Sequence, residues 1–250
     1  MFSISMIDTN VVFDIVYDSR PRHKNAMETY KTFKNYELSI SGKVNQECYK
    51  VVDDYSTRFS KEFINALKSQ NRRGKNWDDM SVTQRAKFIK DFKNDIVNRQ
   101  MSDYIPFFKT IVEKIQDTII YSNMNTIYEY VFHLTGMMDS YLYDAITTRF
   151  SIIETAVDDT TRSYSNELEV IFNNSHFFRK NQSQDLAILI DLINVSNSYG
   201  ENLINLYFYT YDKRFVENIT KIKDKGLDIE NNKVMLYFTD NINKIVFKTF

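Results

Sequence analysis

An α/β fold with a mainly parallel central sheet, carrying a large all-helical insertion, is predicted by three features of the sequence. Short apolar runs followed by helical patterns recur at both ends of the chain, which is the rhythm of strand–helix units. A long middle section places apolar residues at helical spacing with few breaks. Glycine (5) and proline (2) are scarce among 250 residues, which disfavours a many-turned β fold.

The apolar run Phe2 to Ile7 predicts a first strand, and Val11 to Tyr17 a short helix after the turn Asp8-Thr9-Asn10. Pro21 suits a first helical position, so a polar-faced helix is expected over Arg22 to Tyr36. Glu37 to Ser41 alternates as a second strand, and Ser41-Gly42 opens a helix over Lys43 to Val52. From about Ser56 to Lys180 the pattern is helical: Phe108, Ile111, Val112, Ile115 and Ile119 share one face, as do Ile127, Val131, Leu134 and Met138. Asp185 then opens a helix over Leu186 to Ser196, and Leu203 to Thr210 is a strand of aromatic and branched residues. A helix over Arg214 to Lys225 ends at Gly226, and Val234 to Phe238 and Ile242 to Phe247 read as closing strands around Thr239-Asp240-Asn241. The expected organisation is a core of residues 1–55 and 180–250, split by a helical insertion over residues 56–179.

Hydrophobic residues make up 43% of the chain, enough for a sizeable core, and the net charge of −1 excludes a wholly basic nucleic-acid binder. The single cysteine, Cys48, rules out an internal disulfide or a cysteine metal site. The N-terminal apolar stretch is broken by Asp8 and Asp14 and has no basic leader, so it does not read as a signal peptide. No segment approaches a membrane span. The expectation is a cytoplasmic protein with no membrane partner.

Four acids stand where elements meet. Asp8 follows the first strand, and Glu47 sits early in the helix after the second. Asp185 opens the helix after the insertion, and Asp212 follows the aromatic strand. Alone, each reads equally well as a ligand or as a helix cap or solvated acid. Groups that follow the strands of a parallel sheet share one edge, however, so the four are expected to converge. Converging carboxylates repel unless a cation joins them, and hard oxygen ligands suit Mg²⁺ or Mn²⁺. Such a site activates water for in-line attack on a phosphodiester.

These stretches together resemble the PIN-domain nuclease family. The matching residues are Ile7-Asp8-Thr9-Asn10, then Glu47 in the helix after Ser41, then Asp185-Leu186-Ala187-Ile188-Leu189, then Thr210-Tyr211-Asp212-Lys213-Arg214-Phe215. The resemblance covers about residues 1–55 and 180–250. It implies a PIN-like three-layer core and a divalent-metal-dependent endoribonuclease. Asp8, Glu47, Asp185 and Asp212 would hold Mg²⁺ or Mn²⁺, with Asn10 and Thr210 orienting them. It also implies RNA as partner and products with a 5′-phosphate and a 3′-hydroxyl. Asp191 is a rival for the third acid; Asp185 is preferred because polar residues precede it and an aliphatic helix follows. Asp240 is a weaker rival for the fourth.

Two basic groups are candidate phosphate contacts. Arg72, Arg73 and Lys75 lie in a compact loop before Trp77, which either stacks on a base or tucks inward. Arg22 belongs to a cluster close in sequence to Asp8. His133 and His176 show no metal-ligand spacing and read as structural. The alternatives are a catalytically inactive PIN-like binding or assembly module, with the helical section as a protein-partner or self-association surface, and a structure-specific DNA nuclease.

Overall fold

The computed structural model describes residues 1–33, 38–74, 76–99, 104–175, 177 and 183–249. Along the chain run β1 (Phe2–Ile7), α1 (Thr9–Val16), α2 (His23–Thr32), β2 (Leu38–Ser41) and α3 (Gly42–Arg72). They are followed by α4 (Val82–Arg99), α5 (Tyr104–Tyr121), α6 (Met124–Phe132), α7 (Leu134–Arg149), β3 (Ser151–Ile153) and α8 (Asp159–Asn174). The last are α9 (Ser183–Tyr199), β4 (Leu203–Thr210), α10 (Lys213–Lys225), α11 (Asn232–Ile242) and β5 (Ile245–Thr249). The chain divides into two compact units. The first comprises Met1–Val12, Glu28–Cys48 and Ile146–Phe250; the second comprises Phe13–Met27 and Tyr49–Ala145.

The first unit holds one sheet whose five described strands are all parallel, in the order β3-β2-β1-β4-β5. Ile4 pairs with Leu206 and Leu206 with Ile245, so β4 sits between β1 and β5. One face of β4 presents Leu206, Phe208 and Thr210, all buried. Phe208, Phe215 of α10 and Phe247 of β5 meet ring to ring on this side, with centroids 5.6–6.2 Å apart. Helix α9 is apolar nearly all round, with Leu186, Leu189, Leu192, Ile193 and Val195 buried, as a helix enclosed by neighbours must be. It packs against the sheet and against α8 and α11. Within that layer Asn194 Oδ1 accepts hydrogen bonds from Ser165 Oγ (2.9 Å) and from the Tyr237 hydroxyl.

The second unit has a phenylalanine core. Phe59 and Phe63 of α3, Phe88 and Phe92 of α4 and Phe108 of α5 form a chain of ring contacts at 5.1–6.3 Å. Asp14 is 2% exposed and accepts a 2.6 Å bond from Arg20 Nε, while its backbone carbonyl meets His23 Nδ1 at 2.9 Å. Arg20 and His23, which flank Arg22 in the basic cluster near Asp8 in sequence, are therefore engaged with Asp14.

Three sequence expectations change. Residues 234–238 form no strand: they belong to α11, with Val234, Tyr237, Phe238, Asn241 and Ile242 buried at helical spacing. The expected turn at Thr239-Asp240-Asn241 lies inside this helix. A hairpin would run antiparallel, whereas β4 and β5 are parallel and need the crossover that α10 and α11 supply. Second, the section read as wholly helical contains β3, which pairs with β2. Third, α3 extends to Arg72 rather than ending near Val52, and so runs through residues 55–56, where the insertion was expected to begin. Val44, Cys48, Val52, Phe59, Phe63 and Leu67 are buried along it at helical intervals. Residues 34–37, assigned from sequence to a helix end and a strand start, lie outside the described residues. No helix among the described residues is long and apolar enough to cross a membrane.

Candidate active site

In the order β3-β2-β1-β4-β5 the chain winds one way from β1 to β2 and β3, then returns to the other side of β1 with β4. The C-terminal ends of β1 and β4 therefore flank the point where winding reverses, the place where open parallel sheets leave a crevice. Asp8 and Thr210 occupy these two ends.

The Asp8 backbone explains why an acid sits here. Its N–H donates to Tyr209 O (3.0 Å), extending the ladder, and its carbonyl accepts from Val11 and Val12 N–H (3.0 Å each), opening α1. The residue is buried, 9% exposed. Oδ1 accepts from the Thr9 N–H (2.8 Å) and Oδ2 from the Thr210 hydroxyl (2.7 Å). The same Thr210 oxygen accepts the Asp212 N–H at 3.0 Å, so one buried hydroxyl ties Asp8 to the turn that carries Asp212. Asp212 Oδ1 in turn accepts the Phe215 N–H (2.9 Å) and caps α10. On the β2 side of β1 the Thr9 hydroxyl donates to a Glu47 carboxylate oxygen.

Burial pushes the Asp8 carboxyl up to about 6 from 3.8. The hydrogen bonds from Thr210 and Thr9 pull against this, while the negative charges of Glu47 and Asp185 add to it. Glu47 and Asp185 thus each lie within electrostatic reach of Asp8, and the Asp212 backbone is tied to Asp8 through Thr210. Among the described residues, no group of three or more His, Cys, Asp or Glu side chains is placed to hold a metal ion, so the expected meeting of all four acids is not seen. Burial, Glu47 and Asp8 together raise the Cys48 thiol well above its ordinary range, which keeps this fully buried sulfur neutral and unreactive.

Asp191 is used differently from Asp185: its Oδ2 accepts the Lys43 N–H at 2.9 Å, capping the first turn of α3 from across the unit. Asn10 is exposed on α1. Arg22, Arg72 and Arg73 are exposed and belong to the second unit; Lys75 and His176 lie outside the described residues. Arg73 lines a groove of about 710 Å³ between α3 and α4 beside Glu62, Asp91 and Asp95, an acidic setting that disfavours phosphate. Trp77 is 2% exposed and does not offer a stacking surface.

Two roles were not legible in the sequence. Thr9 read only as a small polar turn residue, yet it holds Glu47 from 38 positions away. Asp191 read as a rival ligand, and its partner lies 148 positions away. Neither pairing leaves a local signal. Thr210 offers a direct check: Thr210→Val keeps the shape but removes the donor to Asp8 and the acceptor for Asp212. Urea denaturation is expected to show a loss of about 1–3 kcal/mol, the cost of leaving buried polar groups unpaired.

No family model, no curated protein and no solved structure matches this chain.

Proposed function

We propose that this protein is a PIN-like, divalent-metal-dependent endoribonuclease. The observation that carries the reading is Asp8, a carboxyl at the switch point of a parallel sheet whose proton affinity is raised by burial and, to a lesser extent, by the charges of Glu47 and Asp185. The ligands this reading calls for, Asp8, Glu47, Asp185 and Asp212, are all carboxylates, hard oxygen donors that would suit Mg²⁺ or Mn²⁺ and not the softer metals. Bound there, the ion would lower the pKa of an attacking water and offset charge on the scissile phosphate. The chain's own part is orientation. Thr210 fixes one Asp8 oxygen and the Asp212 backbone, and Thr9 fixes Glu47, so the Asp8 and Glu47 carboxylates are held before substrate arrives.

The test is cleavage of single-stranded RNA with Mg²⁺ or Mn²⁺ by the wild type, Glu47→Gln and Asp185→Asn. Each variant is expected to lose on the order of a hundredfold in rate, and EDTA to abolish cleavage by the wild type. Equal rates in all three proteins would sink this site. The capping work of Asp8 and Asp212 favours a second reading, an inactive PIN-like module that binds RNA or a protein partner. RNA binding by a wild type that cleaves with neither metal would establish it.

A further inference from the structure

All-parallel sheets are normally covered on both faces and read as continuous aliphatic runs. Strand β4 departs from this rule. Asn205, Tyr207 and Tyr209 alternate onto the face opposite the Leu206-Phe208-Thr210 core, and all three are half-buried. Register sets Ser5 of β1 and Val246 of β5 on either side of Tyr207, and Lys248 beside Tyr209. Lys248 is exposed, with Nζ 4.7 Å from the Tyr207 ring centroid and 6.0 Å from that of Tyr209. The half-buried Phe33 meets the Tyr209 ring edge-on at 5.0 Å and extends the aromatic row. Asn205 Nδ2 donates to the Tyr207 hydroxyl at 3.4 Å and steadies that ring.

We propose that this face, centred on Tyr207, Tyr209 and Lys248, is a stacking platform for single-stranded RNA. Aromatic rings set two residues apart on one strand present flat surfaces to successive bases, a recurrent way for a sheet to hold single-stranded RNA. The one charge among these residues is a cation, suited to phosphate. An incoming base displaces the Lys248 ammonium from the Tyr207 ring, and the flexible stem carries it to the backbone of the same nucleotide strand. Hydroxyl and amide groups surround the rings, where a protein-docking face would carry a wide apolar patch. The row is also continuous with the candidate active site: Tyr209 precedes Thr210, and its carbonyl receives the Asp8 N–H. The platform rests on the nuclease reading only for what happens at that edge; binding itself requires no metal.

The experiment is fluorescence anisotropy with a labelled oligouridylate of about 12 nucleotides, long enough for one such site, in EDTA so that cleavage plays no part. Tyr207→Ala is expected to weaken binding about tenfold, with Tyr207→Phe restoring it, which separates stacking from misfolding. Lys248→Ala is expected to flatten the salt dependence of log affinity by about 0.7. Unchanged affinity in Tyr207→Ala, or no binding by the wild type, overturns the platform. Tighter binding of the matching oligodeoxythymidylate overturns the assignment to RNA. Metal-dependent cleavage with Tyr207→Ala affinity unchanged removes the platform and leaves the nuclease standing. Tyr207-dependent binding by a protein that never cleaves does the reverse.

Discussion

Asp8→Asn is expected to abolish RNA cleavage and at the same time to make the metal-free protein more stable at pH 7. The two effects share one cause. Folded Asp8 holds its proton up to about pH 6, whereas the unfolded chain releases it near 3.8. Between these values the native state binds more protons than the unfolded state, so stability falls as pH rises through the window and stays low above it. A difference of about two units is worth on the order of 3 kcal/mol at neutral pH. An asparagine removes that penalty. It cannot accept from both Thr9 N–H and Thr210 as the carboxylate does, so the net gain is smaller, about 1–2 kcal/mol. Denaturation in EDTA at pH 7 and pH 4 reads it: the variant should exceed the wild type at pH 7 and lose that advantage at pH 4. Mn²⁺ should stabilise the wild type and not the variant. A variant less stable than the wild type at pH 7 would show that Asp8 is chiefly a structural cap. Cleavage is expected to fall by a factor on the order of a thousand, the trade of stability for activity expected where like charges are gathered at a site.

Which parts of this site were readable follows from how far each interaction reaches along the chain. β1 and β4 coincide with their apolar runs because turn residues bound them sharply, Asp8-Thr9-Asn10 after one and Gly200 before the other. Three residues of β3 are too few to show alternation, and it became a strand only by pairing with β2. Helix α11 was misread because Val234 to Phe238 is rich in residues that favour strands; its burial at positions 234, 237, 238, 241 and 242 shows packing overriding local propensity. The acids at the ends of elements could be found by order alone, and Thr210 could be expected to orient a carboxylate from its place before Asp212. That Thr9 serves Glu47 while Asp191 serves Lys43 is fixed by which helices face each other. Those contacts are tertiary, and no window of sequence contains both partners.

Trp77→Ala is expected to cost the second unit about 3–5 kcal/mol, the range for truncating a buried aromatic. The side chain is 2% exposed, its Nε1–H donates to Ser122 O (3.0 Å), and its ring meets Phe88 edge-on at 5.6 Å. Arg85 lies 5.3 Å from the ring centroid and donates from Nε to Trp77 O (3.2 Å) and from Nη1 to Ser122 O (3.0 Å) and Ile120 O (3.2 Å). Asp78 Oδ1 accepts the Met124 N–H at 2.8 Å. Trp77 and Arg85 thus join the turn after α3 to the α5–α6 connection, and truncation leaves both a cavity and a loosened guanidinium. Trp77→Phe keeps most of the volume, and Ser122 O keeps Arg85 as a donor, so its cost should be near 1 kcal/mol. Because Trp77 is the only tryptophan, its fluorescence in the wild type reports unfolding of the second unit alone. Urea titrations followed by far-ultraviolet circular dichroism should place Trp77→Phe close to the wild type and Trp77→Ala far below both. RNA affinity should be the same for the wild type and Trp77→Phe, since a ring this deeply buried cannot meet a base. A loss of RNA binding in Trp77→Phe at unchanged stability would restore the alternative, an indole that leaves its pocket to stack on the substrate.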